Sequence, residues 1–294
     1  MNIGITGATG LIGRRVASLA RSHGHDVIGF THNRDRVSPG WRFFCDNQSP
    51  DVDGCDAILN LAGENVVGRW TARKKEAIRA SRVQGTRGIV EAIRKAKTPP
   101  RVLVNGSATG IYGDTGDTPA DETGAHGTGF LADVCEAWER EALAARDMGT
   151  RVVLLRTGIV LARDGGALAA MLPVFKLGLG GTLGDGRQWM SWIHIDDEAA
   201  LALAAIERSA YDGPVNATAP EPARNADFTK ALARALRRPA LFRVPAAALR
   251  AAAGGFAAEL LESRRITPAA AAKAAFPFKF PTLDAALRDL LGAR

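Results

Sequence analysis

A chain of 294 residues, 46% hydrophobic and 23% charged, has the composition of an ordinary globular protein with room for one large core and a smaller appendage. No apolar run reaches the roughly 20 residues of a membrane helix, and MNIGITGATG opens as a strand, so neither a membrane span nor a signal peptide is expected. The net charge of +7 resides in residues 221–294, which hold 13 basic and 6 acidic side chains; either an anionic partner or solvated arginines on alanine-rich helices accounts for it. No nucleic-acid motif or interleaved aromatic pattern accompanies it, so a nucleic-acid partner is not expected.

In chain order, 2–6, 26–31, 56–61, 101–106 and 151–156 read as short apolar strands, and 11–23, 71–96 and 128–147 as helices between them. Such β-α alternation predicts an α/β fold, a doubly wound parallel sheet with helices on both faces. Beyond about residue 157 the pattern loosens. The glycine-rich GLGGTLGDG near 178–186 cannot be a regular helix, 196–208 and 225–237 read as helices, and 245–275 is alanine-rich. The expected division is a dinucleotide-binding domain over 1–220, with substrate-side insertions from about 165, and a mostly helical C-terminal region over 221–294. Cys45, Cys55 and Cys135 form no CxxC pair, which argues against a metal site or disulfide framework and fits reduced thiols in a cytoplasmic protein.

Gly7, Gly10 and Gly13 form G-x-x-G-x-x-G directly after a strand and at the start of a helix, a Rossmann-like context for a dinucleotide pyrophosphate. The first glycine permits a tight turn and the second lets backbone amides approach the ligand. The third allows close helix–sheet packing, and the helix start at Thr9, Leu11 and Ile12 adds unpaired amides and a positive dipole end. The second strand ends in Thr31, His32, Asn33 and Arg34, with no carboxylate placed for the ribose hydroxyls; His32 and Arg34 suit a 2′-phosphate, which favours NADP.

TGATGLIG, NLAG at 60–63, SATGIYG at 107–113 and WIHIDDEA at 192–199 resemble the extended short-chain dehydrogenase/reductase superfamily. NLAGENV, Trp70, SRV at 81–83, RTGIVLARDGGAL and the 178–194 run resemble one atypical branch, the NADP-dependent epimerase family proteins. Members of that branch end in a short domain of unknown function, here near 245–291. The resemblance implies that Leu61, Ala62 and Gly63 run along the cofactor. It also implies that Arg82 contacts the cofactor and that Val160 lies near the nicotinamide. Arg82 also reads as a solvated helical arginine, and Val160 as core.

Enzymes of this superfamily use Tyr-x-x-x-Lys with a Ser or Thr to move the proton that accompanies hydride transfer. This chain has only Tyr112 and Tyr211, and neither is followed by Lys four residues on. With Glu139 matched to the family's helix glutamate, Phe130 stands at the Tyr position and Val134 at the Lys position. The remaining protic candidates are Ser107 and Tyr112, with His126 and Asp133 as surface or capping alternatives. His194 reads as a hydrogen-bonding residue at a helix start, Asp196 and Asp197 as caps, and Trp189 and Trp192 as cavity lining or core. The 178–188 loop with Arg187 is either an anion site built from glycine amides or a connector. The expected protein is a monomer or homodimer acting on a small molecule. It is either an NADP(H)-dependent oxidoreductase or epimerase-like enzyme, or a non-catalytic NADP(H)-responsive binding protein.

Overall fold

The computed structural model describes residues 1–31, 40–43 and 49–292. His32, Asn33, Arg34 and Cys45 lie outside the described residues. The elements in chain order are β1 (Asn2–Thr6), α1 (Leu11–Ser22), β2 (Asp26–Thr31), β3 (Trp41–Phe43), β4 (Ala57–Asn60), α2 (Ala72–Lys95), β5 (Val102–Ala108) and α3 (Phe130–Leu143). There follow β6 (Arg151–Thr157), β7 (Ile159–Ala162), α4 (Gly166–Lys176), β8 (Gly181–Leu183), β9 (Trp189–Met190), β10 (Trp192–His194), α5 (Ile195–Glu207) and β11 (Gly213–Ala217). The chain ends with β12 (Ala223–Arg224), α6 (Asn225–Leu236), β13 (Phe242–Val244), α7 (Ala246–Ala253), α8 (Phe256–Leu261), α9 (Ala269–Lys273) and α10 (Leu283–Leu291).

Among the described residues the central sheet has seven strands in the order β11-β6-β5-β4-β1-β2-β3, all parallel. The chain winds outward from β1 to β3 and then returns to β4, so the order reverses beside β1. In doubly wound sheets a ligand crevice opens at that reversal, outside the carboxyl ends of the strands. The expected Rossmann-like α/β fold is therefore present, with two more strands than the pattern suggested. Both extra strands are edges. β3 is three residues long, and β11 reads GPVNA, with Pro214 on a strand that pairs only with β6. A proline tolerates an edge because it has no amide to offer a second neighbour.

The strands are apolar on both sides because both faces are covered. On one face Val16 and Ala20 of α1 and Leu201, Ala205 and Ile206 of α5 pack on Ile3, Ile5 and Val104. On the other, Ile89 and Ile93 of α2 and Ala142 of α3 pack on Ile58, Leu103 and Val152. A third cluster joins Leu168, Leu172 and Phe175 of α4, Phe228 and Leu232 of α6, and Leu287 and Leu290 of α10 around Trp192. The helix expected over 128–147 is α3 followed by a 3₁₀ turn, Ala144–Met148, ended by Gly149 in the left-handed region. The alanine-rich 245–275 segment is three short helices, with an extended stretch before α9.

Packing crosses the expected boundary at residue 220. Ala271 and Phe276 enter the cluster that contains β1, and Phe280 stacks on His194 with ring centroids 3.8 Å apart. The Asp197 carboxylate accepts the amides of Lys279 (2.8 Å) and Phe280 (2.9 Å), fixing the run into α10 to the start of α5. Asp197→Ala leaves those amides without an acceptor, and a loss of about 1–3 kcal/mol in urea unfolding is expected, with an unchanged m-value.

Candidate functional site

The glycine turn joins β1 to α1. Gly7 has φ +67°, and a Cβ there would stand 3.0 Å from the Leu61 carbonyl and 3.1 Å from the Ala62 nitrogen. A Cβ on Gly13 would lie 2.3 Å from the Gly7 oxygen, so only glycine lets α1 start this close to its own strand. Gly10 caps α1 without a side-chain hydrogen bond, which leaves the first-turn amides of Leu11, Ile12 and Gly13 without a side-chain acceptor. Thr9, Gly10 and Gly63 are exposed, and Leu11, Ile12, Leu61 and Ala62 are half-buried beside them. The Thr6 hydroxyl accepts the amides of both Leu61 and Ala62 at 3.1 Å, holding the NLAG segment against the turn. An open cradle of uncapped amides with no Cβ in the way suits a pyrophosphate. Thr31 ends β2 and is buried.

Arg82 rises from α2 toward the same cleft. Its guanidinium donates to the carbonyls of Glu64 and Ile78, lies 5.2 Å from the Trp138 ring and faces Gly63. Burial draws its pKa below the usual arginine range. Val160 is half-buried and pairs in register with Ile193 across β7 and β10.

Beneath the cleft, two polar rows cross the carboxyl ends of the strands. Thr6, Asn60 and Asn105 form one, with Thr86 and Trp138 closing it from α2 and α3. The other is Ser107, Arg156 and Asn216, register neighbours on β5, β6 and β11. Arg156 makes a two-pronged pair with Glu139 of α3, Nε to Oε1 and Nη2 to Oε2, each 2.8 Å, with both side chains buried. Burial works against the charge on Arg156, but the Glu139 carboxylate outweighs it and holds the guanidinium protonated.

Both proton-transfer candidates from the sequence lie in this second row. The Ser107 hydroxyl donates to Glu139 at 2.6 Å. The Tyr112 hydroxyl accepts from Arg156 at 2.8 Å and donates to Asn216 at 2.7 Å, and the residue is 3% exposed. Burial raises the Tyr112 pKa despite the neighbouring arginine. His126 and Asp133 are exposed.

Phe130 turns away from the strand ends onto Trp70, 5.0 Å between ring centroids, with Lys75 5.0 Å above it. The face of α3 that meets the end of β5 carries Leu131, against Gly110, and Cys135, whose thiol meets the Ala108 backbone. These two have the spacing of a Tyr–Lys dyad, yet one is aliphatic and burial pushes the other's thiol up to about 12. That orientation follows from helix phase against β5, which a single sequence does not display.

The remaining residues are placed as follows. His194 itself caps α5, its Nδ1 accepting the Asp196 amide at 3.0 Å, while Asp196 pairs with Arg15 at 2.7 Å. Trp192 is fully buried core, and Trp189 stacks with Arg224 and Arg265. Several amides of the glycine loop are already paired. Leu183 donates to Asn225, Gly184 to Val244, Gly186 to Leu183 and Arg187 to Asp185. Those four amides are therefore not offered to an anion, because this part of the loop forms β8 and a turn stitched to β13.

Sequence reasoning missed Glu198, which is fully buried on α5. One oxygen accepts the Thr157 hydroxyl at 2.8 Å and the other has no partner. Burial pushes its pKa from 4.5 up to about 8. The folded protein thus binds one more proton than the unfolded chain between these values. The contribution is full below about pH 4.5 and is lost as pH rises through about 8, with a slope of up to about 1.4 kcal/mol per pH unit. Urea unfolding across that window should show the slope in the wild type and a flatter profile in Glu198→Gln. Arg156→Met strands Glu139 as a buried charge and should cost about 3–5 kcal/mol in the same measurement.

The profile of the NAD dependent epimerase/dehydratase family matches residues 3–217, and that of a domain of unknown function, DUF1731, matches 244–290. The "Epimerase family protein ML0860" of Mycobacterium leprae is 39% identical over 290 residues, covering 97% of this chain and 94% of that protein. A chloroplastic SDR39U1 homologue of Arabidopsis thaliana is 37% identical, covering 99% of this chain and 87% of its own. The crystal structure of human epimerase family protein SDR39U1 with NADPH superposes with a TM-score of 0.93 at 33% identity, covering 99% of both chains. Matched by that family model over 3–217, by relatives of more than 30% identity along nearly its whole length and by the DUF1731 model near its end, the chain belongs to the NAD dependent epimerase/dehydratase family, in the extended short-chain dehydrogenase/reductase branch that carries the DUF1731 segment.

Proposed function

We propose that the protein binds NADP(H) and acts as an oxidoreductase or epimerase-like enzyme on a small molecule. The observation that carries this is the uncapped start of α1, opened by Gly7, Gly10 and Gly13. The NADPH in the human relative's structure supports it. Leu11, Ile12 and Gly13 would hold the pyrophosphate by their amides, Leu61 to Gly63 would follow the chain of the cofactor, and Arg82 would contact it from α2. Val160 would pack at the nicotinamide end, and His32 and Arg34 would select the 2′-phosphate. When bound, the cofactor supplies a hydride donor or acceptor at nicotinamide C4.

The residues of this chain then govern the proton. Ser107 and Tyr112 are assigned that role, each through the Glu139–Arg156 pair, and each has to leave its present acceptor to donate toward a substrate oxygen. That requirement gives weight to a second reading, a non-catalytic NADP(H)-responsive binding protein, because the α3 face at β5 carries Leu131 and Cys135 in place of a proton-handling pair. An anionic substrate would meet the charge of Arg187 on the 178–188 loop.

Fluorescence titration should show NADPH bound at least about tenfold more tightly than NADH. Arg34→Ala should remove that preference, because a charge-assisted hydrogen bond to phosphate is lost. Gly13→Val should abolish binding of both cofactors; retention of binding, or no preference in the wild type, overturns the reading. NADPH consumption against a carbonyl panel, and NADP+ reduction against an alcohol panel, separate the two functions. Turnover lost in Tyr112→Phe with cofactor affinity retained supports the enzyme, and tight binding with no turnover on any substrate supports the binding protein.

A further inference from the structure

A second constellation lies at the opposite end of the sheet, where the parallel strands begin. α1 closes at His23, and Gly24, at φ +79°, turns the chain into His25 just before β2. The turn is fixed by its own backbone. The His23 amide donates to the Leu19 carbonyl, the Gly24 amide to Arg21 and the His25 amide to Ala20. Glu207, the last residue of α5, stands against both imidazoles. His23 Nδ1 is 3.3 Å and His25 Nε2 is 2.9 Å from the same carboxylate oxygen, Oε1. All three donor atoms lie within 4.8 Å of one another.

We propose that His23, His25 and Glu207 form a binding site for a zinc-like divalent cation. Zinc bonds to nitrogen and carboxylate oxygen of about 2.0–2.2 Å place neighbouring donors of a tetrahedron roughly 3.3 Å apart. The separations from Glu207 are of that size, and the two imidazole nitrogens, within 4.8 Å of one another, have to draw together around the ion. Two imidazoles and one carboxylate are a borderline donor set. They favour zinc, cobalt or nickel over magnesium, which prefers an all-oxygen octahedron. Three protein ligands leave a fourth position for water. The His25 side chain is 13% exposed, that of Glu207 30% and that of His23 48%, so the site lies at the surface and is reachable from solvent. The two imidazoles sit side by side because a left-handed glycine separates them. The carboxylate arrives from the neighbouring helix, so the ion would staple the α1–β2 turn to the end of α5.

The cofactor turn lies where the strands end, so the site is structural with respect to the proposed chemistry and independent of it. The test uses the full chain, freed of metal with a chelator and titrated with zinc chloride and, separately, cobalt chloride. Expected are a rise of several degrees in thermal midpoint with zinc and none with magnesium. Cobalt should give the intense visible bands of a tetrahedral site. His25→Ala and Glu207→Gln should each weaken zinc binding more than about tenfold, while NADPH affinity and the metal-free thermal midpoint stay close to wild type. Zinc binding that is equally tight in both variants places the ion elsewhere and overturns the proposal, as does the absence of binding at micromolar zinc.

Discussion

The buried pair between Arg156 and Glu139 is the contact on which the candidate site is built. It joins β6 to α3 with both side chains buried, and the desolvation of two charges there is offset by the two-pronged geometry together with the hydrogen bonds to Ser107 and Tyr112. Every other group in the row takes its orientation from it. Ser107 donates its hydroxyl hydrogen bond to Glu139, Tyr112 accepts a hydrogen bond from Arg156, and Asn216 accepts one from Tyr112. The row fixes three adjacent strands at their carboxyl ends, where a ligand crevice is expected. It also spends the hydroxyls that a proton-transfer mechanism would use.

The C-terminal segment is the second organising feature. After α8 it runs extended past the loop that follows β5. The Thr115 amide donates to the Ser263 carbonyl, Ala120 to Arg265 and Thr267 to Ala120. Ser191 binds the Ile266 amide, and Asn216 reaches the Thr267 carbonyl. Gly254 bridges to Trp70, and Phe256 packs on the same indole. The segment that matches DUF1731 thus closes over the NLAG side and the β11 side of the sheet, and it shares the core of the larger domain. Its positive charge is partly spent internally, as where Arg264 pairs with Glu259 and Glu262.

Much of this was legible in the chain. The five inner strands and the three long helices among them were readable because apolar period and glycine punctuation are local signals. β3 and β11 were not, since three residues, or five with a proline, carry too little pattern. The His194 cap was half-legible: a hydrogen-bonding role at a helix start was expected, but Asp196 was read as the cap when its amide is the donor. Glu198 gave no signal at all. A glutamate in an acidic helix start reads as exposed, and only the approach of Thr157 and the surrounding core buries it.

What the sequence determined by itself is the dinucleotide turn. Gly7, Gly10 and Gly13 state a backbone requirement, a positive φ and approaches too close for a Cβ, and such requirements are written residue by residue. It also determined that no Tyr-x-x-x-Lys exists. Tertiary structure decided the rest of the site. Which α3 residues meet β5, whether loop amides are free or paired, and whether Ser107 and Tyr112 face a ligand or a buried ion pair all depend on contacts between residues far apart in the chain. The cofactor turn is therefore legible in one stretch of thirteen residues, whereas the proton-handling chemistry is set by how β5, β6, β11 and α3 come together.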